Sequence, residues 1–235
     1  MKVINDLFDY EPYKIVQDDE VFKFSLDSIL LAEFVTDIKP KEVILDICTG
    51  NGAIPFILTN YFPNKIVAFE IQEYIAKLGQ EGIKLNHLEH QIELIHDDVR
   101  VIHNYFPGNK FDVIVANPPY FKHKETSLIN ENKNKAIARH EICLNLEEIF
   151  KIVKYALKDY GSFYLVHLPE RLEEILFLCE KYQIIAKKMQ FVYTKDDTDA
   201  TMVLLKCVKG AKNSVKISAP MYIGNYQSYK NIFRG

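Results

Sequence analysis

The chain has little of what marks a cross-linked scaffold. Its four cysteines, Cys48, Cys143, Cys179 and Cys207, lie far apart and form no C-x-x-C pair. That spacing argues against a zinc site or a disulfide framework and fits a reducing cytoplasm. Nine Gly and nine Pro in 235 residues are too few for a collagenous or low-complexity chain. Long apolar runs are missing too: none approaches the roughly 20 residues that cross a bilayer, so no membrane partner is expected. The opening MKVINDLFDYEPYKIV carries charges and no apolar h-region, and does not read as a signal peptide. What is present is 48% hydrophobic and 26% charged, too apolar for disorder and long enough to bury one sizeable core. A soluble cytoplasmic globular protein is expected.

Charge is unevenly spread. The whole chain carries 29 Lys and Arg against 32 Asp and Glu, a net of −3. From Lys181 to Gly235, ten Lys and Arg face three Asp, a local excess of +7, which leaves −10 for the rest. A basic segment on an acidic body suits a polyanionic partner; a solvated Lys-rich surface explains it equally well.

Short apolar, β-branched runs alternate with helical stretches. Strands are expected at 42–48, 65–71, 91–96, 111–117, 161–168, 184–194 and 200–208, with helices after the first two, over 144–159 and from Pro169 onward. The pattern predicts an α/β fold: a doubly wound, seven-stranded, mostly parallel sheet. The last two strands are joined through Asp196–Asp199, too tightly for a crossover helix, and so form an antiparallel hairpin. Residues 10–24 read as two short strands around Asp18-Asp19-Glu20, and Ser25 as the N-cap of LDSILLAEFV, with Asp27 near that helix's positive end. No Gly/Pro/Ser-rich linker divides the chain.

Two constellations carry chemistry. Asp46-Ile47-Cys48-Thr49-Gly50-Asn51-Gly52 closes the first core strand, where open α/β sheets bind ligands and glycines let a ligand lie on bare backbone. A dinucleotide fingerprint would continue to a third glycine, but Pro55 stands there. Glu70, at the end of the second strand, is placed to accept ribose hydroxyl protons. A ribose without a pyrophosphate fits S-adenosylmethionine (SAM). The second constellation is Asn117-Pro118-Pro119-Tyr120-Phe121, closing the fourth strand. An aromatic exocyclic amine is a poor nucleophile because its lone pair is delocalised into the ring. The Asn117 side-chain oxygen and the Pro118 carbonyl can accept its two protons, while Tyr120 and Phe121 stack on the planar group. Rigid acceptors at a developing positive charge act by preorganised electrostatics and positioning, without a metal. His87 and His90 have helical metal spacing but no third ligand in the sequence, and no metal is expected.

Taken together, the Asp-x-x-x-Gly-x-Gly loop, the strand-two acid and NPPY resemble the amino-group branch of Class I SAM-dependent methyltransferases, a Rossmann-like fold that ends in such a hairpin. That match runs over roughly residues 20–208, and within it FKFSLDSILLAEF and Ala138-Arg139-His140-Glu141 resemble the bacterial tRNA(Val) adenine N6-methyltransferases. The resemblance implies that Asp46, Gly50 and Gly52 form the methionine-side loop. It gives Glu70 the ribose, and Asp98 the cofactor's adenine amine, with Asp97 as the alternative. Phe24, Ser25 and Asp27 would fold over the methionine end, and Asn117 would border the cofactor. Cys48 departs from the family, where many relatives have Gly; a packed core thiol is the plainer reading.

The organisation implied is an N-terminal hairpin and helix over 1–40, a methyltransferase domain over 41–210 with a polar insertion at 122–141, and a basic tail over 211–235. Lys122, Lys124, Lys133, Lys135 and Arg139 of the insertion would meet tRNA phosphates. His140 suits substrate contact or a loop ion pair equally. Tyr222, Tyr226 and Tyr229 would pack the tail onto the body or stack on bases. NPPY alone leaves glutamine N5, guanine N2 and DNA adenine methylation open; a non-catalytic SAM- or RNA-binding module could keep the glycine loop but has no reason to keep Asn117 with Tyr120. The oligomeric state is not legible in the sequence.

Overall fold

Strands covered on both faces read as unbroken apolar runs, and the central strands here are of that kind. In the computed structural model, which describes residues 1–18, 20, 25–120, 144–212, 214–225 and 227–234, every residue of β3 (Ile44–Ile47) and β4 (Ile66–Glu70) is buried. They are flanked by β5 (Ile92–His96), β6 (Phe111–Ala116) and β7 (Leu157–His167), all parallel. The antiparallel pair β8 (Ile184–Tyr193) and β9 (Met202–Lys209) completes the order β8-β9-β7-β6-β3-β4-β5. This is the Class I methyltransferase arrangement, with β3 at the switch point between β4 and β6.

Alternate residues of each strand face opposite layers. Ile44, Ile66, Val113 and Val115 pack with α1 (Leu26–Phe34), α2 (Ala53–Thr59) and α3 (Glu73–Leu85). Leu45, Ile47, Val67 and Ile114 pack with α4 (Leu146–Ala156) and α5 (Leu172–Tyr182). Asn145 opens α4 with a capping box: its side chain accepts from the Glu148 backbone N–H at 3.0 Å, and Glu148 accepts from the Asn145 N–H at 2.9 Å. None of the described helices is long and apolar enough to cross a membrane.

The structure differs from the sequence reading at four places. The N-terminal hairpin pairs β1 (Lys2–Asp6) with β2 (Lys14–Asp18) through the connection 7–13, with Asp18 the last residue of β2; the strand expected after Glu20 lies outside the described residues. Leu7 and Tyr10, buried in that connection, serve the core and not a strand. Ser25 holds the N-cap position of α1 through its backbone only, its side chain making no capping bond. Helix α4 stops at Ala156 and β7 begins at Leu157, where a shift in the β6–β7 register absorbs an irregular start. Finally, two two-residue strands, β10 (Lys216–Ile217) and β11 (Met221–Tyr222), pair with β8 and bring the sheet to nine strands. Phe24, Tyr226 and the insertion 122–141, with Lys122, Lys124, Lys133, Lys135, Arg139 and His140, lie outside the described residues, as does Phe121.

Candidate active site

The glycine loop leaves β3 through three left-handed residues: Cys48 at φ 61°, Gly50 at 60° and Gly52 at 90°. Cys48 thus occupies a conformation that glycine adopts freely and an L-residue adopts at a cost of about 1–2 kcal/mol. The loop is held by its neighbours. Thr49 N–H donates to the Phe69 carbonyl at 2.9 Å, and Gly50 N–H to Glu70 Oε2 at 2.9 Å. Glu70 Oε1 accepts from Gln72 N–H at 2.9 Å. Burial pushes the Glu70 carboxyl above its usual range, opposed by those two N–H groups. Each of its oxygens keeps a lone pair for a further donor. Asn51, buried, donates to the Val16 carbonyl at 3.0 Å and ties the loop to β2. On the other side α3 approaches through Gly79, where a Cβ would lie 2.5 Å from Leu94 Cδ1 and 3.3 Å from the Asn51 carbonyl carbon.

Asp46 is the electrostatic anomaly of this loop. It is fully buried, and burial pushes its carboxyl up to about 8 against an opposing pull from the nearby Thr49 side chain, yet neither oxygen has a partner in full hydrogen-bond geometry among the described residues. A desolvated carboxylate without partners is costly unless a proton or a cation meets it. A ligand bearing an ammonium and a vicinal diol would satisfy Asp46 and use the spare lone pairs of Glu70. These residues therefore fit SAM.

NPPY stands beside this loop because β6 pairs with β3 in register, Ala116 opposite Ile47. Asn117 and Cys48 are the next residues of their strands. Pro118 and Pro119 have no N–H to extend the ladder. The Asn117 amide is engaged at both ends: Nδ2 donates to Ser28 Oγ at 3.0 Å, and Oδ1 accepts from the Tyr120 hydroxyl at 2.6 Å. The acceptor expected to be open thus already holds a proton donor. The Tyr120 phenol is pushed well up, by burial first and then by the facing Asp27 carboxylate. Its ring lies 5.2 Å from that of His167, at 57°. His167, fully buried at the end of β7, is kept neutral by burial and by nearby Arg171, its pKa lowered to about 4.

The acid pair follows β5, whose His96 is opposite Glu70. Asp98 caps a 3-10 turn over Val99–Asn104, accepting from Arg100 N–H at 2.9 Å and pairing with the Arg100 guanidinium. Asp97 accepts from Tyr105 OH at 2.5 Å and from Asp98 N–H at 2.7 Å, which hold its carboxyl low. Asp46, Gly50, Gly52, Glu70, Asn117, Pro118, Tyr120 and Asp27 are brought together; Ser25 is exposed at the mouth of α1. Ser28, Asn51 and His167 were not singled out in the sequence. The only signal for His167 is a polar residue ending an apolar strand, and Ser28 is one more polar residue of a helix start. His90 uses a ring nitrogen on the His87 carbonyl at 3.0 Å.

Comparison with known proteins bears on the family and the fold. A protein of Bacteroides thetaiotaomicron named tRNA1(Val) (adenine(37)-N6)-methyltransferase is 27% identical over 98% of this chain and 96% of its own length. One of the same name from Bacteroides fragilis is 31% identical over 68% of this chain and 65% of its own. Among solved structures, a predicted O-methyltransferase of Agrobacterium tumefaciens superposes with a TM-score of 0.69 at 18% identity, covering 89% of this chain and 94% of that one. The model of the methyltransferase small domain matches residues 13–195, from the N-terminal hairpin to the acidic turn before β9, and the chain belongs to that family.

Proposed function

We propose that this chain transfers a methyl group from SAM to the exocyclic N6 amine of an adenosine in tRNA, the anticodon-loop adenosine of tRNA(Val) being the implied target. One observation carries the reading: an asparagine amide, fixed on both sides, beside a glycine loop with an unmet buried carboxylate. The two relatives' names narrow the acceptor to adenine in tRNA.

SAM supplies a methyl made electrophilic by its sulfonium. The chain supplies position and charge. Glu70 would hold the ribose hydroxyls, Asp46 would face the ammonium, and Asp98 or Asp97 would take the adenine amine. Asn117 Oδ1 and the Pro118 carbonyl accept the two N–H protons of the target amine, so that its lone pair leaves the ring and points at the methyl. As the N–C bond forms and the S–C bond breaks, positive charge develops on nitrogen next to both oxygens. One proton then leaves to water. Tyr120 offers a ring for stacking, with His167 backing it. An adenine must leave its own stack to reach such a pocket, which favours an unpaired loop.

The test is incubation of the native chain with labelled SAM and total tRNA, then nucleoside mass spectrometry. N6-methyladenosine in one tRNA is the expected product. Asn117→Ala should lower the rate by at least ~100-fold with SAM affinity near native; turnover within tenfold of native removes the amide from the mechanism.

A further inference from the structure

Which way round the Asn117 amide sits decides whether the corner after β6 accepts protons at all, since only its oxygen is an acceptor. The terminal torsion of an asparagine is broad and roughly two-fold, so the side chain does not choose for itself. In the folded chain the amide turns Nδ2 to Ser28 and Oδ1 to Tyr120, and each hydroxyl completes a bond in that orientation. On one side stands Ser28, buried in the first turn of α1, its Oγ 3.0 Å from Nδ2. On the other, the Tyr120 hydroxyl donates to Oδ1 at 2.6 Å. A phenol has one proton to give, and the Asp27 carboxylate faces the same hydroxyl. The residue before Ser28 thus offers that proton a second place to go.

Resting on the methyl-transfer reading above, the geometry points to Ser28 as a positioning residue: it holds Nδ2 toward α1 and so presents Oδ1 to the amine, whose place the Tyr120 hydroxyl keeps until the amine arrives. When the amine takes Oδ1, the Tyr120 proton turns to Asp27, and no group loses its partner. Ser28 touches neither reacting atom; it acts through Asn117.

Ser28→Ala and Ser28→Thr, made in the full chain, test this with steady-state methylation of total tRNA and calorimetric SAM titration. Ser28→Ala should lower kcat by at least ~10-fold while KM for tRNA and Kd for SAM stay within about twofold. Ser28→Thr, which restores a hydroxyl, should recover most of the loss. If Ser28→Ala does not fold, Ser28→Cys keeps the volume, weakens the acceptor and should show the same split. Native kcat in Ser28→Ala, or a loss shared equally by kcat, SAM affinity and melting temperature, overturns the inference. Absence of turnover in the native chain overturns the functional reading and this inference with it.

Discussion

Asp46 sets one of the chain's strongest pH dependences at the scale of a single residue. Its carboxyl moves from an ordinary 3.8 to about 8 on burial. The folded chain therefore keeps a proton that the unfolded chain releases. The stability that proton contributes is complete below about pH 4 and drains away as pH rises to about 8. Asp46→Asn mimics the protonated form at all pH values. Its melting temperature without ligand should match the native chain near pH 4 and exceed it by at least ~2 °C at pH 8 to 9, by differential scanning calorimetry; a constant difference would show that Asp46 does not titrate there. The sequence puts Asp46, Glu70 and Asn117 forward as candidates because each sits at a strand end inside a rare pattern. It did not reveal Ser28 or His167, because their roles are contacts made across 89 residues of chain in one case and across the β6–β7 edge in the other. The Cys48 backbone was equally hidden, since a cysteine gives no hint of a positive φ.

Helix α1 joins two distant parts of the chain. Its first turn carries Asp27 and Ser28, and its last turn carries Glu33, fully buried, which accepts from the hydroxyls of Tyr10 and Tyr61. Arg234 Nε stands 3.5 Å from Glu33, and the guanidinium lies 3.6 Å over the Tyr61 ring and donates to the Val35 carbonyl at 2.7 Å. Removing one member of a buried pair strands the other charge, a loss of order 3 kcal/mol. Arg234→Ala should therefore lower the melting temperature by at least ~5 °C, seen by circular dichroism, whereas no change would show that Glu33 is satisfied by its two tyrosines. The parallel strands were legible because burial on both faces leaves an unbroken apolar signature. The β1–β2 pairing is not legible in the sequence because Leu7 and Tyr10 carry core-facing apolar character outside any strand. The start of β7 was missed because an irregular register, with Tyr160 at φ 62°, has no periodicity to read.

Across the whole molecule, the +7 of the C-terminal segment overstates the charge offered to a polyanion. Lys209 is buried and donates to Asn109 Oδ1 and to the Lys154 and Leu157 carbonyls, Lys206 pairs with Asp37, and Arg234 with Glu33. The tail also packs inward, with Tyr229, Ile232 and Phe233 against the core and Tyr222 on Tyr193. Binding to tRNA should weaken as salt rises. All ten cations of that segment on single-stranded phosphates would give a log–log slope near −7, and filter binding across a salt series should find a shallower one; a flat line would remove the basic face from recognition. The unmet carboxylate beside the glycine turn has a further consequence in a living cell. A ligand that neutralises it stabilises only the folded form, so the unliganded protein is the one that proteases find open. Its abundance would then follow the supply of its methyl donor, falling in starved cells before any change in synthesis.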